Sequence, residues 1–220
     1  MPTLISETEV RLERSDLERR VVLSRKLDAD GYIVPPRRSP GLHLSGLLKY
    51  VATKTRITAY IQDAQEEDAI ERGHLPLRWF LGQVWEEAAA SLYPEMIWQP
   101  GELNNPLVMN CDGFSYNGGE GNGESVVDGE SVVIEEFKLK RAKRADAAKF
   151  LKNWIFMQQG LGYCCGYSAQ FVRWHVCYLF EFPDPIYVKY LVRFSRDELA
   201  AAVRMIEVNR LKAIEEGYAE

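Results

Sequence analysis

The sequence lacks an overall basic charge: 27 Lys and Arg stand against 32 Asp and Glu, a formal net charge of −5. That counts against a passive nucleic-acid coat, whose affinity rests on a broad positive field. It counts less against an enzyme that acts on nucleic acid, which brings its own carboxylates and needs only a local basic track. Long apolar runs are missing too. Acidic and basic residues alternate through Met1–Arg20, and no later stretch approaches the length of a membrane span. The expectation is a cytoplasmic protein with neither signal peptide nor membrane anchor. Cysteine is scarce: Cys111, Cys164, Cys165 and Cys177. Two are adjacent and two lie in strand-like runs, a spacing that suits neither zinc nor an iron–sulfur cluster. Reduced thiols and no cluster are therefore expected. There are no internal repeats.

What is present is an ordinary globular composition, 46% hydrophobic and 27% charged over 220 residues, enough for one sizeable core. Residues 1–20 read as a polar arm or short helix. Val21–Leu27 and Tyr32–Val34 read as a hairpin turned by Asp28-Ala29-Asp30-Gly31. Together they set residues 1–40 apart as an N-terminal arm and hairpin, with the main unit over 41–220. Ser45 is a candidate cap for a helix through Leu47, Leu48 and Val51, and a clearer helix covers Leu77–Tyr93 before Pro94. Strands are predicted at Leu107–Tyr116 and Ser131–Lys140, the glycine-rich 117–123 between them being a loop, with a short strand at Ser125–Val127. A helix over Ala145–Gly162 follows, loosened at its end by Gly160 and Gly162. Phe171–Phe182 and Ile186–Phe194 form a second hairpin, and Ser195-Arg196-Asp197-Glu198 is a capping box for the last helix. The order predicts an α/β (α+β) fold, a central mixed sheet flanked by helices.

Chemistry concentrates in Val132-Val133-Ile134-Glu135-Glu136-Phe137-Lys138. Alternation along a strand puts Glu136 and Lys138 on one face, and Glu135 on the other with Val133, Phe137 and Leu139. A carboxylate and an ammonium two residues apart suit metal-assisted phosphodiester hydrolysis, one holding the cation, the other handling water or phosphoryl charge. Alone the spacing means little, since Glu-x-Lys arises roughly once by chance in a chain of this size, and an edge-strand ion pair explains it equally. Asp112 lies in the preceding strand candidate, where aspartate is disfavoured. A metal ligand and an Asp-Gly turn account for it about evenly. On the helix Leu77–Tyr93, a core stripe of Leu77, Leu81, Val84, Ala88 and Leu92 leaves Glu86 opposite, among Trp79, Gly82, Ala89 and Tyr93. A face so poor in charge is covered by something, and Glu86 there suits a ligand better than Glu87, which points elsewhere. An exposed glutamate on an alanine-rich helix is the plain alternative.

In order, Gly82-x-x-x-Glu86, Asp112, Glu136-x-Lys138 and Gln159-x-x-x-Tyr163 resemble the RecB-like branch of the PD-(D/E)xK nucleases, which includes phage lambda-type exonucleases and CRISPR-associated adaptation exonucleases. The Gln159–Tyr163 pair discriminates most, because four residues apart both side chains share one helix face. The resemblance covers about residues 77–165, with a preceding helix near His43–Tyr50. It departs from the family's Gly-x-x-Asp pattern, with Met109 where the glycine would be. What it implies is a restriction-endonuclease-like core with Glu86, Asp112, Glu136 and the Phe137 carbonyl holding one or two Mg²⁺ or Mn²⁺. Lys138 would be the catalytic lysine, and Gln159 and Tyr163 would position the lysine or the DNA backbone. The implied function is DNA hydrolysis, by an exonuclease in phage recombination or repair working in the host cytoplasm. Ring-shaped homo-oligomers occur in that branch. Two other classes compete: an inactive nucleic-acid-binding or structural protein on the same fold, and a small-molecule or protein-binding module.

Basic residues that could track phosphates are Arg141, Lys143, Arg144, Lys149 and Lys152, with a second set at Arg19, Arg20, Arg25, Lys26, Arg37 and Arg38. Trp79, Trp154 and Trp174 are expected mostly in the core, as are His175 and Cys177, which share one face of an apolar strand.

Overall fold

The computed structural model describes residues 2–11, 42–53, 77–98, 100, 103–104, 107–116, 132–181 and 184–217. The strands are β1 (Thr3–Val10), β2 (Ile97–Trp98), β3 (Leu103–Asn104), β4 (Val108–Met109), β5 (Gly113–Tyr116), β6 (Val132–Lys140), β7 (Phe171–Tyr178) and β8 (Ile186–Arg193). The helices are α1 (Leu44–Thr53), α2 (Leu77–Ala90), α3 (Ala147–Leu151), α4 (Trp154–Gly166) and α5 (Arg196–Glu215). The fold is a mixed α+β arrangement built on one sheet of order β1-β8-β7-β6-β5-β2, with β3 and β4 forming a separate small ladder. Among the described strands only β6 and β7 run parallel, and a parallel neighbour requires a crossover. Here α3 and α4 supply it.

One face of the sheet buries Ile134, Val172, Trp174, Val176, Val188, Tyr190 and Val192 against α1, α4 and α5. The other face carries a smaller cluster of Ala89, Met96 and Phe137 beneath α2. Gly160 lets α4 lie flat on the sheet, since a Cβ there would meet the Trp174 ring at 3.1 Å and Val172 at 3.2 Å. Gly162 likewise admits Leu44 of α1, 2.5 Å from a built Cβ. These glycines therefore set helix packing instead of loosening the helix end, and α4 runs past them to Gly166.

Other local expectations are revised as well. Residues 3–10 are an edge strand paired with β8, neither a polar arm nor a short helix. The alternating charges have a strand period: Glu7 and Glu9 share a side, and both reach Arg144, at 2.7 and 2.9 Å. The helix predicted over 145–162 is two helices, because Asp146 caps the first and the Asn153 side chain caps the second. The first helix begins at Leu44, so Ser45 lies inside it. The strand predicted over 107–116 is broken, and Asp112 sits at a bend just before β5. The hairpin over 21–34 and the short strand at 125–127 lie outside the described residues. The second hairpin is formed by β7 and β8, and both halves of the capping box at Ser195 and Glu198 are made.

Candidate active site

β5 and β6 pair antiparallel with Gly113 opposite Glu135, so Asp112, one residue earlier, comes level with Glu136. The main chain locks this arrangement: the Phe137 amide donates to Asp112 Oδ2 at 2.7 Å, and the Asp112 amide lies 3.4 Å from Glu136 Oε1. Glycine suits 113 because β2 lies close, a Cβ there standing 3.1 Å from the Ile97 carbonyl and 2.9 Å from Met96 Sδ. The Asp-Gly pair is thus a bend at a tight strand crossing and no hairpin turn.

Glu136 is 1% exposed. Its carboxylate accepts from Lys138 Nζ at 2.7 Å, and the same ammonium is 4.0 Å from Asp112 Oδ2. Gln159 on α4 extends its amide toward Glu136 Oε2 at 3.5 Å and donates to the Tyr163 hydroxyl at 3.0 Å. That four-residue pair therefore shares a face, as expected, and it meets the carboxylate and not the lysine. Burial and the neighbouring Asp112 charge push the Glu136 carboxyl up to about 8, against the pull of Lys138. Burial alone would lower the Lys138 pKa, but Glu136, Asp112 and Glu86 outweigh it and hold the ammonium protonated. Burial, then the Glu136 charge, keeps the Tyr163 phenol well above its ordinary value, so it stays a neutral donor.

Glu86 thus lies close enough for Lys138 to feel its charge, though α2 presents a different stripe from the one expected. Ala89 is fully buried, with Trp85, Ala90 and Tyr93 packed beside it on Phe137 and Met96, while Leu81, Val84 and Ala88 are half-buried. Two aromatic rings flanking a small alanine bury more apolar area against a sheet than the aliphatic stripe does. On the face around Glu86, Ala89 is buried and Tyr93 half-buried. A Cβ on Gly82 meets nothing within 4 Å, so there is room beside it. The side chains of Glu87 and Trp79 lie outside the described residues.

Phe137 enters the site by its amide, while its ring stacks on His175 across the sheet at 4.3 Å. Among the described residues no group of His, Cys, Asp and Glu is already gathered as a metal cage; Lys138 occupies the space between Glu136 and Asp112. The donor set nevertheless suits a hard divalent cation: all are oxygens, two are carboxylates from paired segments, and the more buried one is charged only at a cost that a cation would offset.

The surrounding cations are unevenly placed. Arg141, Lys143, Lys149 and Lys152 are exposed. Arg144 is tied to Glu7 and Glu9 and its amide to Glu181, so it leaves the expected track. Lys140, not singled out by spacing, shares the face of Glu136 and Lys138 with its ammonium 4.2 Å from the Phe156 ring centre. The basic residues between 19 and 38 lie outside the described residues. Trp174 is fully buried, whereas Trp154 is exposed, so only the former meets the core expectation. His175 and Cys177 are buried; all four cysteines are free.

Sequence reasoning missed a polar cluster behind the site, in which Glu135 contacts Ser115, Arg173 and His175. Its signal was present: a glutamate on an otherwise apolar strand face needs a buried partner, and Arg173 and His175 alternate onto one face of the next strand.

No family model matches the sequence, and no curated protein gives a significant match. Among solved structures, the crystal structure of SSO0001 aligns with 80% of this chain and 78% of its own length, at 16% identity and a TM-score of 0.48. Among the described residues no helix is long and apolar enough to cross a membrane.

Proposed function

We propose that this chain is a metal-dependent nuclease of the PD-(D/E)xK type, on a restriction-endonuclease-like core, that hydrolyses DNA phosphodiester bonds. The observation that carries the reading is the meeting of Asp112, Glu136 and Lys138 from two paired segments, the Lys138 ammonium 2.7 Å from Glu136 and 4.0 Å from Asp112, with Gln159 and Tyr163 on the helix behind them. Glu86, Asp112, Glu136 and the Phe137 carbonyl would hold Mg²⁺ or Mn²⁺, which supplies Lewis-acid polarisation of the phosphoryl group and acidifies water.

The chain's own residues do the rest. Lys138, an ammonium beside these acidic residues, is suited to stabilising negative charge on the phosphorane. Gln159 orients the Glu136 carboxylate through its amide, and Tyr163 fixes Gln159 in turn. The bend at Asp112, locked by the Phe137 amide, sets the second carboxylate without a flexible loop. A role in recombination or repair, in the cytoplasm and in phage, follows from the resemblance alone.

One observation favours a second reading. The direct Lys138–Glu136 pair at 2.7 Å is also what an inactive nucleic-acid-binding protein on the same scaffold would keep. Purified protein assayed on single- and double-stranded DNA and on RNA, with Mg²⁺ and with Mn²⁺, separates them. The nuclease reading expects cleavage of DNA that Lys138→Ala abolishes in a folded protein. A wild type inert on every substrate in both metals favours the second.

A further inference from the structure

Behind Glu136, on the reverse face of the sheet, lies a polar cluster for which the proposed chemistry has no use. Glu135 is 2% exposed and His175 1%. Glu135 Oε1 accepts from Ser115 Oγ of β5 at 2.5 Å and from Arg173 Nη1 of β7 at 2.6 Å, while Oε2 meets His175 Nε2 at 2.7 Å. His175 Nδ1 contacts the Tyr187 hydroxyl of β8, and that hydroxyl lies 2.7 Å from the Tyr93 hydroxyl, just beyond α2.

Ser115 and Arg173 both donate to Glu135 Oε1, which leaves Oε2 for the histidine. From His175 the contacts continue through the Tyr187 hydroxyl to that of Tyr93, so side chains of successive elements are joined in one polar network.

Such a cluster is an expensive way to fill a core, since well-packed apolar side chains in its place would be as stable or more so. Its membership shows what it does instead. It joins β5, β6, β7, β8 and the end of α2, and three of these elements hold the candidate acidic residues: Asp112 enters β5, Glu136 is on β6 next to Glu135, and Glu86 is on α2. The anchoring of α2 is specific. The Tyr93 amide closes a turn on Ala90, and the Trp85 ring stands edge-on to Tyr187 at 4.9 Å, next in sequence to Glu86.

We propose that Glu135, His175, Tyr187 and Tyr93 are positioning residues, a polar lock that holds Glu86 and Asp112 in register with Glu136 from the far side of the sheet. This rests on the metal-dependent reading above. The lock touches neither substrate nor cation; it acts through the placement of α2 and β5 on β6.

The test is direct Mn²⁺ binding, followed by electron paramagnetic resonance, in the wild type, Tyr93→Phe, Tyr187→Phe and Tyr190→Phe. Tyr190 is the control: its hydroxyl bonds to the Ala145 carbonyl at 3.0 Å on the opposite face, outside the lock. All three variants lose one hydroxyl and are expected to lose similar thermal stability. Tyr93→Phe and Tyr187→Phe are expected to weaken Mn²⁺ binding about tenfold or more, the usual effect of removing an outer support of metal ligands, and Tyr190→Phe to leave it unchanged. If Tyr187→Phe does not fold, Tyr93→Phe, which keeps the His175–Tyr187 contact, carries the test. Unchanged Mn²⁺ binding in Tyr93→Phe overturns the lock, as does an equal loss in Tyr190→Phe. A wild type that binds no Mn²⁺ overturns the metal-dependent reading itself and the lock with it.

Discussion

Replacing Lys138 with methionine removes the cation between Glu136 and Asp112 while keeping the length of the stem. Glu136 is 1% exposed and its carboxylate holds Lys138 Nζ at 2.7 Å, so the variant leaves a buried carboxylate without its partner. Removing one member of a fully buried pair costs about 3–5 kcal/mol. The Lys138 side chain is 22% exposed, which admits water to the vacated position, and Glu136 can take up a proton. Both effects reduce the expected loss to about 1–3 kcal/mol. In a chain of this size that is a fall in melting temperature on the order of 3–10 °C in EDTA. Mn²⁺ should reverse most of it, because a divalent cation between the same oxygens replaces the missing charge, and the rise should exceed that of the wild type, where Lys138 competes for the site. DNA cleavage should nevertheless fall by roughly a thousandfold, since the ammonium is lost from the reacting phosphate. Thermal melts with and without Mn²⁺, alongside a cleavage assay, read all three effects. An unchanged melting temperature in EDTA, or a Mn²⁺ response no larger than that of the wild type, refutes the reasoning.

Three further outcomes are expected. Asp112→Ala orphans the Phe137 amide, worth about 1–3 kcal/mol by denaturant titration, and abolishes cleavage; a variant that keeps full activity removes Asp112 from the site. His175 is buried neutral with its folded pKa below the ordinary 6.5, so the unfolded chain gains a proton first. Its contribution is present above that value and lost as pH falls through the folded pKa, so melting temperature should decline below about pH 6.5, a decline that His175→Gln flattens. Lys140→Gln should weaken DNA binding measured without a divalent cation and reduce the slope of log affinity against log salt by about 1, as one lost phosphate contact requires; an unchanged slope places Lys140 away from the DNA.

The candidate site was legible wherever chemistry follows a local period. Alternation put Glu136 and Lys138 on one face of β6, and four-residue spacing put Gln159 and Tyr163 together on α4. Ser195 and Glu198 announced their helix because a capping box is complete within four residues. Elsewhere the deciding interactions are distant in sequence. β1 looked like an arm because Glu7 and Glu9 meet their partner only at Arg144, across the fold. The aliphatic stripe of α2 is only half-buried because Phe137 and Met96, which select Ala89, Trp85 and Tyr93, belong to other segments. Gly160 and Gly162 read as loosening the helix end when they are contact points for Trp174 and Leu44. The polar lock went unseen for the same reason: Glu135, His175, Tyr187 and Tyr93 come from four separate segments, and none carries a motif of its own.

The central claim, that Asp112, Glu136 and Lys138 form a hydrolytic site, is tested most directly by digesting end-labelled linear and closed circular DNA with purified protein in Mg²⁺ or Mn²⁺, beside Glu136→Ala. The expected result is metal-dependent loss of linear DNA by the wild type and none by the folded variant, with the circular substrate reporting whether an end is required. No cleavage by the wild type in either metal, or equal cleavage by Glu136→Ala, contradicts it.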